Sequence, residues 1–190
     1  MSMVRGLLAL MVIVGAGYMP AWAQEDAVGV PGPVVYDGTS FELAWTTHPT
    51  ETFYKQEYVP EGQTVERYDE MFMVDVLTEG PTPDAAAQSI VESLGERKGT
   101  DPVVNFQVMK NEATGEVLLD FLLSSDEGGT LIVEWNAYRY VPVGDGVAMF
   151  GISRRGYDDG AADLLMALKD WRMGAIEELA GMELPEIVVE

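Results

Sequence analysis

Cysteine is absent from this chain. Disulfides, thiol nucleophiles and thiolate metal sites are therefore excluded, and any stability must come from an apolar core. Histidine occurs once, at His48. One imidazole without a thiol cannot assemble a His-based zinc site, and no G-x-S-x-G signature accompanies it for a hydrolytic triad. Its setting, Thr-Thr-His-Pro-Thr, reads as an ordinary turn. Basic residues are scarce as well, with 11 Lys and Arg against 32 Asp and Glu and a formal net charge of −21. That balance disfavours nucleic acid or an anionic membrane face as a partner and favours a protein or a cationic ligand; an acidic coat adapted to salty surroundings explains it equally well.

No apolar run is long enough to span a bilayer as a stable anchor. Met1 to Arg5 forms a short positive region, Leu7 to Gly17 an apolar stretch, and Ala21-Trp22-Ala23 the small-x-small pattern of a signal-peptidase site. A signal peptide over 1–23 is expected, with cleavage after Ala23 and delivery to the periplasm or outside the cell. Arg5 is its only charge, so removal takes the formal charge to −22. No cysteine follows for lipidation, and no stable membrane anchor is expected after cleavage. Residues 24–33, acidic and then rich in Gly and Pro, read as a flexible leader. Residues 34–190 suit one domain with one core.

What is present is mostly strand. Val34 to Tyr36 and Phe41 to Thr46 flank Asp37-Gly38 as an opening hairpin, and Thr47 to Thr50 breaks the pattern at Pro49. Thr52 to Val59 alternates like a strand near an edge, and Arg67 to Thr78 like an inner one. Thr82-Pro83-Asp84 supplies a cap, a Pro at the first helical position and an acid in the first turn of a helix carrying Ala86, Ile90 and Leu94. Val103 to Met109 and Glu116 to Ser124 follow as strands joined by a short loop. Leu131 to Arg155 is the longest run of β-branched and aromatic residues and turns back on itself at Gly144-Asp145-Gly146. A last helix, about Asp159 to Ala180, carries one apolar stripe: Leu164, Leu168, Trp171, Ala175 and Leu179. Strands, helix, four strands and helix predict an α+β domain: a mostly antiparallel β-sheet flanked by two main helices.

Few residues stand out chemically. Asp158, Asp159 and Asp163 lack the alternating ligands and closing Glu of a calcium loop, and serve as an acidic helix start. The methionines, including Met71 and Met73, are scattered in the manner of core filler. Asp120 interrupts an apolar strand and needs a cation or several donors if buried. Glu134 and Asn136 share a face with Tyr138 and Tyr140, while Arg154 and Arg155 return toward their level across the turn. Two readings compete for this polar set. One is a buried carboxylate–guanidinium network that locks strand register. The other is a ligand pocket formed by Asp120, Glu134, Asn136, Tyr138, Arg139 and Arg154, with an arginine gripping an anion. No catalytic residue, metal ligand or cofactor loop is identified.

The segments YKQEYVPEGQTVERYDEMFMVDVL, DPVVNFQV, LLDFLLS and VEWNAYRY, in this element order, resemble a group of uncharacterised exported bacterial proteins. More distantly the chain resembles the PsbP-like fold, seen in an extrinsic photosystem subunit and in the phage-adsorption lipoprotein DcrB. The resemblance covers roughly Tyr36 to Glu186 and implies an α/β/α sandwich with binding roles and no shared active site. The expectation is a soluble periplasmic, non-enzymatic binding or accessory protein of the cell envelope. A small-molecule or cation carrier using the polar sheet patch is the alternative.

Overall fold

A computed structural model describes residues 25–189. The expected signal peptide, 1–23, lies outside the described residues. The elements are β1 (Val34–Tyr36), β2 (Thr39–Thr50), β3 (Phe53–Val59), β4 (Glu70–Leu77), α1 (Pro83–Arg97), β5 (Asn105–Asn111), β6 (Glu116–Glu127), β7 (Thr130–Val143), β8 (Gly146–Tyr157) and α2 (Asp159–Gly181). The strands form one sheet in the order β1-β2-β3-β4-β8-β7-β6-β5, and every neighbouring pair is antiparallel. The chain is thus an α+β domain, as its element order predicts.

Because side chains alternate across a strand, each strand supplies two faces. Phe72, Val74 and Val76 of β4, Leu118 and Leu122 of β6, Trp135 and Ala137 of β7, and Phe150 and Ile152 of β8 share one core with Ala161, Ala175, Ile176 and Leu179 of α2. Met71, Met73, Leu119, Phe121, Tyr140 and Met149 share the other with Ala87 and Leu94 of α1. The two helices therefore lie on opposite faces, and β6, apolar on both sides, runs between them. Burial of a large side chain such as Phe72 or Leu119, both fully buried, contributes about 1.5–3 kcal/mol.

Local signals account for the helix start and the long hairpin. Thr82 Oγ1 accepts the N–H of Ala85 at 3.3 Å, and Pro83 opens α1. The β7–β8 register closes on Val143 opposite Gly146, with Gly144 at φ 54° in the turn. Gly146 has a second reason to be glycine. A Cβ there would sit 1.9 Å from the Leu77 carbonyl oxygen, so β8 can start against the end of β4 only without a side chain.

Two expectations change. The pattern does not break at Thr47: β2 continues through Pro49 to Thr50, absorbing the irregularity as register shifts at Leu43/Trp45 and Thr47/Thr50. His48 consequently sits on a strand, its ring stacked on Tyr54 with centroids 3.9 Å apart. β3, by contrast, lies near an edge, as its alternation predicts: it pairs with β4 on one side and, on the other, with the part of β2 that β1 does not cover. Finally, the described part of the leader is packed. Val28 and Val30 are buried in the α2-side core. The Asp26 carboxylate accepts from both their backbone N–H groups, the Gln56 side chain accepts from Ala27 N at 2.6 Å, and Val188 N donates to Val28 O at 2.9 Å. Two valines among Gly and Pro are enough to anchor a segment when a core lies open beside it.

Candidate functional site

The sheet separates the polar residues that the strand pattern draws together. Asp120, Arg139 and Arg154 point to the α2 side, whereas Glu134, Asn136 and Tyr138 belong to the α1 side. Alternation is the physical reason: residues on paired strands share a face only when they are aligned in register.

On the α2 side, three arginines tie the last helix to the sheet. Arg172 of α2 holds Asp120, its Nε 3.0 and 3.1 Å from the two carboxylate oxygens and its Nη2 2.5 Å from Oδ2. Trp135 Nε1 donates to the same carboxylate at 2.6 Å. The buried charge thus receives a bidentate guanidinium and an indole donor, a geometry that offsets desolvation. Arg139 reaches the far end of the helix. It donates to the carbonyls of Leu179 and Met182 at 3.0 and 2.9 Å and pairs with Glu116 at 3.0 Å. A cation there satisfies carbonyls left open at a helix C-terminus.

Arg154 pairs with Glu70 at 2.7 Å and Asp37 at 3.2 Å. Its guanidinium also lies over Trp171, 4.6 Å from the ring centroid, and Trp171 meets Trp135 edge-on with centroids 4.9 Å apart. Contacts therefore run without a gap from Glu70 through Arg154, Trp171 and Trp135 to Asp120 and Arg172. The guanidinium groups expected to grip an anion instead serve carboxylates and helix carbonyls.

On the α1 side, Glu134 pairs with Arg155, directly opposite it in register. Glu134 also accepts from the Tyr68 hydroxyl at 3.1 Å and from Asn136 Nδ2 at 2.9 Å. Arg155 further stacks on Tyr68, 4.2 Å from its centroid. Lys55 and Asp75, cross-strand neighbours, meet at 2.5 Å. Burial pushes the carboxyls of Glu57 and Asp75 above their ordinary values, with Lys55 opposing it in both. Burial raises the Tyr138 and Tyr140 phenols too. Tyr138 meets Phe121 edge-on at 5.0 Å, which makes it a packing residue.

A concavity opens where the two networks come to the surface. A groove of about 380 Å³ runs between the first half of α2 and the ends of β4 and β8, floored by Leu164, Ala167 and Trp171 and rimmed by Asp69, Glu70, Asp163, Arg154 and Arg155. Leu165, Met166 and Met173 are exposed on α2, turned away from the groove floor. Sequence reasoning took the inward stripe of α2 correctly, since Ala175 and Leu179 are buried and Leu164, Leu168 and Trp171 pack against the same core. It missed Arg172, Trp135, Tyr68 and the groove. The signal for Arg172 was present, because it follows Trp171 on the inward stripe and is a long cation beside an apolar face. No described group of three or more Asp, Glu or His is placed to hold a metal ion. Asp158 departs from its expected role: its side chain does not cap α2 but accepts the N–H of Leu131 at 3.1 Å, tying the helix start to β7.

Among the described residues, no helix is long and apolar enough to cross a membrane. No curated protein matches the chain. A solved structure of PA94, a Pseudomonas aeruginosa protein of unknown function, aligns with 80% of this chain and 95% of that one, at 11% identity and a TM-score of 0.36. A likeness that slight carries no inference. A protein-family model, by contrast, matches residues 28–184, from the first packed valine to the tail beyond α2. The chain belongs to that family, which is itself uncharacterised.

Proposed function

We propose that this protein is a non-enzymatic accessory protein of the cell envelope, exported to the periplasm or secreted, that works by docking another protein. The PsbP-like architecture is part of this proposal. The observation that carries it is the α2 groove, whose floor of Leu164, Ala167 and Trp171 is apolar. An apolar concavity left uncovered is a mark of an interaction site. Arg154 and Arg155 at its rim are already paired with Glu70 and Glu134, which leaves Asp69 and Asp163 to suit an apolar side chain flanked by Lys or Arg.

A carrier that uses Asp120, Glu134, Asn136, Arg139 and Arg154 together is less well supported, because those residues stand on two faces of the sheet. The test is site-specific photo-crosslinking in the producing cell, with the reactive group at Ala167 in the groove or at Thr114 on a distant exposed turn. A discrete adduct from Ala167 alone, lost in Asp163→Lys and recovered from an envelope fraction, is expected. Equal labelling from both positions, or recovery only from the cytosol, defeats the proposal.

A further inference from the structure

The two edges of the sheet are built differently. At one edge, β1 has only three residues and follows Pro33, while β2 behind it carries Pro49 and two register shifts. Short strands, prolines and bulges are the means by which sheet edges are kept from pairing. The packed segment around Val28, joined to the tail at Val188, shares the α2-side core with Val34 and Tyr36 of β1.

The other edge has no such protection. β5 runs unbroken from Asn105 to Asn111 in register with Leu122 to Glu116, contains no proline, and pairs with no other described strand. Its outward N–H and C=O groups are a template for a further strand. Its one charge, Lys110, is already paired with Asp84 of α1. Val108 is one of the few large apolar residues left exposed.

We infer that β5 docks a second copy of this chain, antiparallel about a two-fold axis at Val108, joining two eight-stranded sheets into one. Charge permits the pairing. β5, Asn105 to Asn111, carries no acidic residue, so two strongly anionic molecules can bring these strands together without setting carboxylates of the strands opposite one another. The strand is also self-complementary. Centred on Val108, the pairing sets Val108 against its own copy, Gln107 against Met109, Asn105 against Asn111, and Phe106 against Lys110. No like charges stand opposite one another. Phe106 already accepts a cation on its ring, with Lys98 Nζ 4.4 Å from the centroid, and Lys110 of the second copy offers another contact of this kind. A two-fold axis makes the arrangement closed, so it stops at two.

A single strand pair is a small interface, so the association is weak and reversible. Sedimentation equilibrium of the purified protein, from about 10 μM to about 1 mM, resolves such an equilibrium. The mass is expected to rise from monomer to dimer, and the dimer to strengthen as salt rises from about 0.05 to about 0.5 M, because screening weakens repulsion between the two anionic chains. Val108→Glu places two carboxylates on the axis and is expected to weaken association by about tenfold or more, whereas Val108→Thr retains it. Since Val108 is exposed, both variants should melt as the parent does at low protein concentration. Monomer throughout the range at both salt levels overturns the inference. So does a Val108→Glu variant that associates as tightly as the parent.

Discussion

Arg172 and Asp120 are 52 residues apart in sequence, yet their side chains form a two-pronged ion pair between α2 and the middle of β6. Asp120 is 1% exposed, so its charge depends on that arginine and on Trp135 alone.

Arg172→Ala is therefore expected to destabilise the fold by about 3–5 kcal/mol, because it strands a buried carboxylate. Replacing both partners, as Asp120→Leu/Arg172→Leu, should recover most of that loss and leave a deficit of about 1 kcal/mol for the indole N–H without an acceptor. Urea unfolding of the three variants and the parent measures both. A single variant within about 0.5 kcal/mol of the parent would show that the pair contributes nothing to holding α2.

Glu57 and Asp101 should respond to acid in opposite senses. Burial raises the Glu57 carboxyl, so the folded state takes up its proton more readily than the unfolded chain. Ionisation of Glu57 then costs stability at neutral pH, and the cost disappears as pH falls toward the unfolded value of about 4.3. Glu57→Gln should be more stable than the parent at pH 7 and converge with it on acidification.

For Asp101, burial pushes its carboxyl up, but hydrogen bonds from the Ser124 N–H and hydroxyl and the Val103 N–H, with Arg97 nearby, outweigh it and hold the group low. Its contribution is present above the unfolded value of about 3.9 and is lost as pH falls below that. Asp101→Asn should be the less stable chain at pH 7, by about 1–2 kcal/mol, and the gap should close only below about pH 4. Comparing each variant with the parent over pH 3 to about 8 cancels the general repulsion among carboxylates. Parallel curves for either variant would contradict the assignment for that residue.

Gly156 sits where β8 passes under the start of α2. A Cβ there would lie 2.5 Å from the Gly160 carbonyl oxygen and 2.9 Å from Ala161 Cα, both backbone atoms that cannot swing aside. Gly156→Ala should cost about 1–3 kcal/mol and shift α2 away from the sheet, altering the groove. Gly160→Ala, whose Cβ meets nothing within 4 Å, is the matched control. Equal melting temperatures for the two would show that the helix adjusts freely.

Most elements could be read directly from the chain. Thr82-Pro83, the inward stripe of α2 and the Gly144-Asp145 turn each act within a few residues, so they are legible without knowledge of the fold. The alternation within β7 likewise placed Glu134, Asn136 and Tyr138 on one face. Whether Asp120 shared that face depended on the register of β6 against β7, where Asp120 meets Ala137 and not Asn136. A shift of one residue reverses the answer, and local sequence does not specify it.

By itself, then, the sequence determined the α+β class, the absence of thiol chemistry, the acidic surface, and the return of Arg154 and Arg155 to the level of Glu134 and Asn136 across one hairpin, while the register that sets Glu134 against Arg155 came from the structure. These follow from composition and from contacts between neighbours along the chain. Only the tertiary structure decided that Arg172 answers Asp120, that Arg139 and Arg154 secure α2, that residues near Val28 are packed, and that β5 is left as the open edge. Each of those depends on which strands and helices meet across long sequence separations, and that is settled by packing of the whole core.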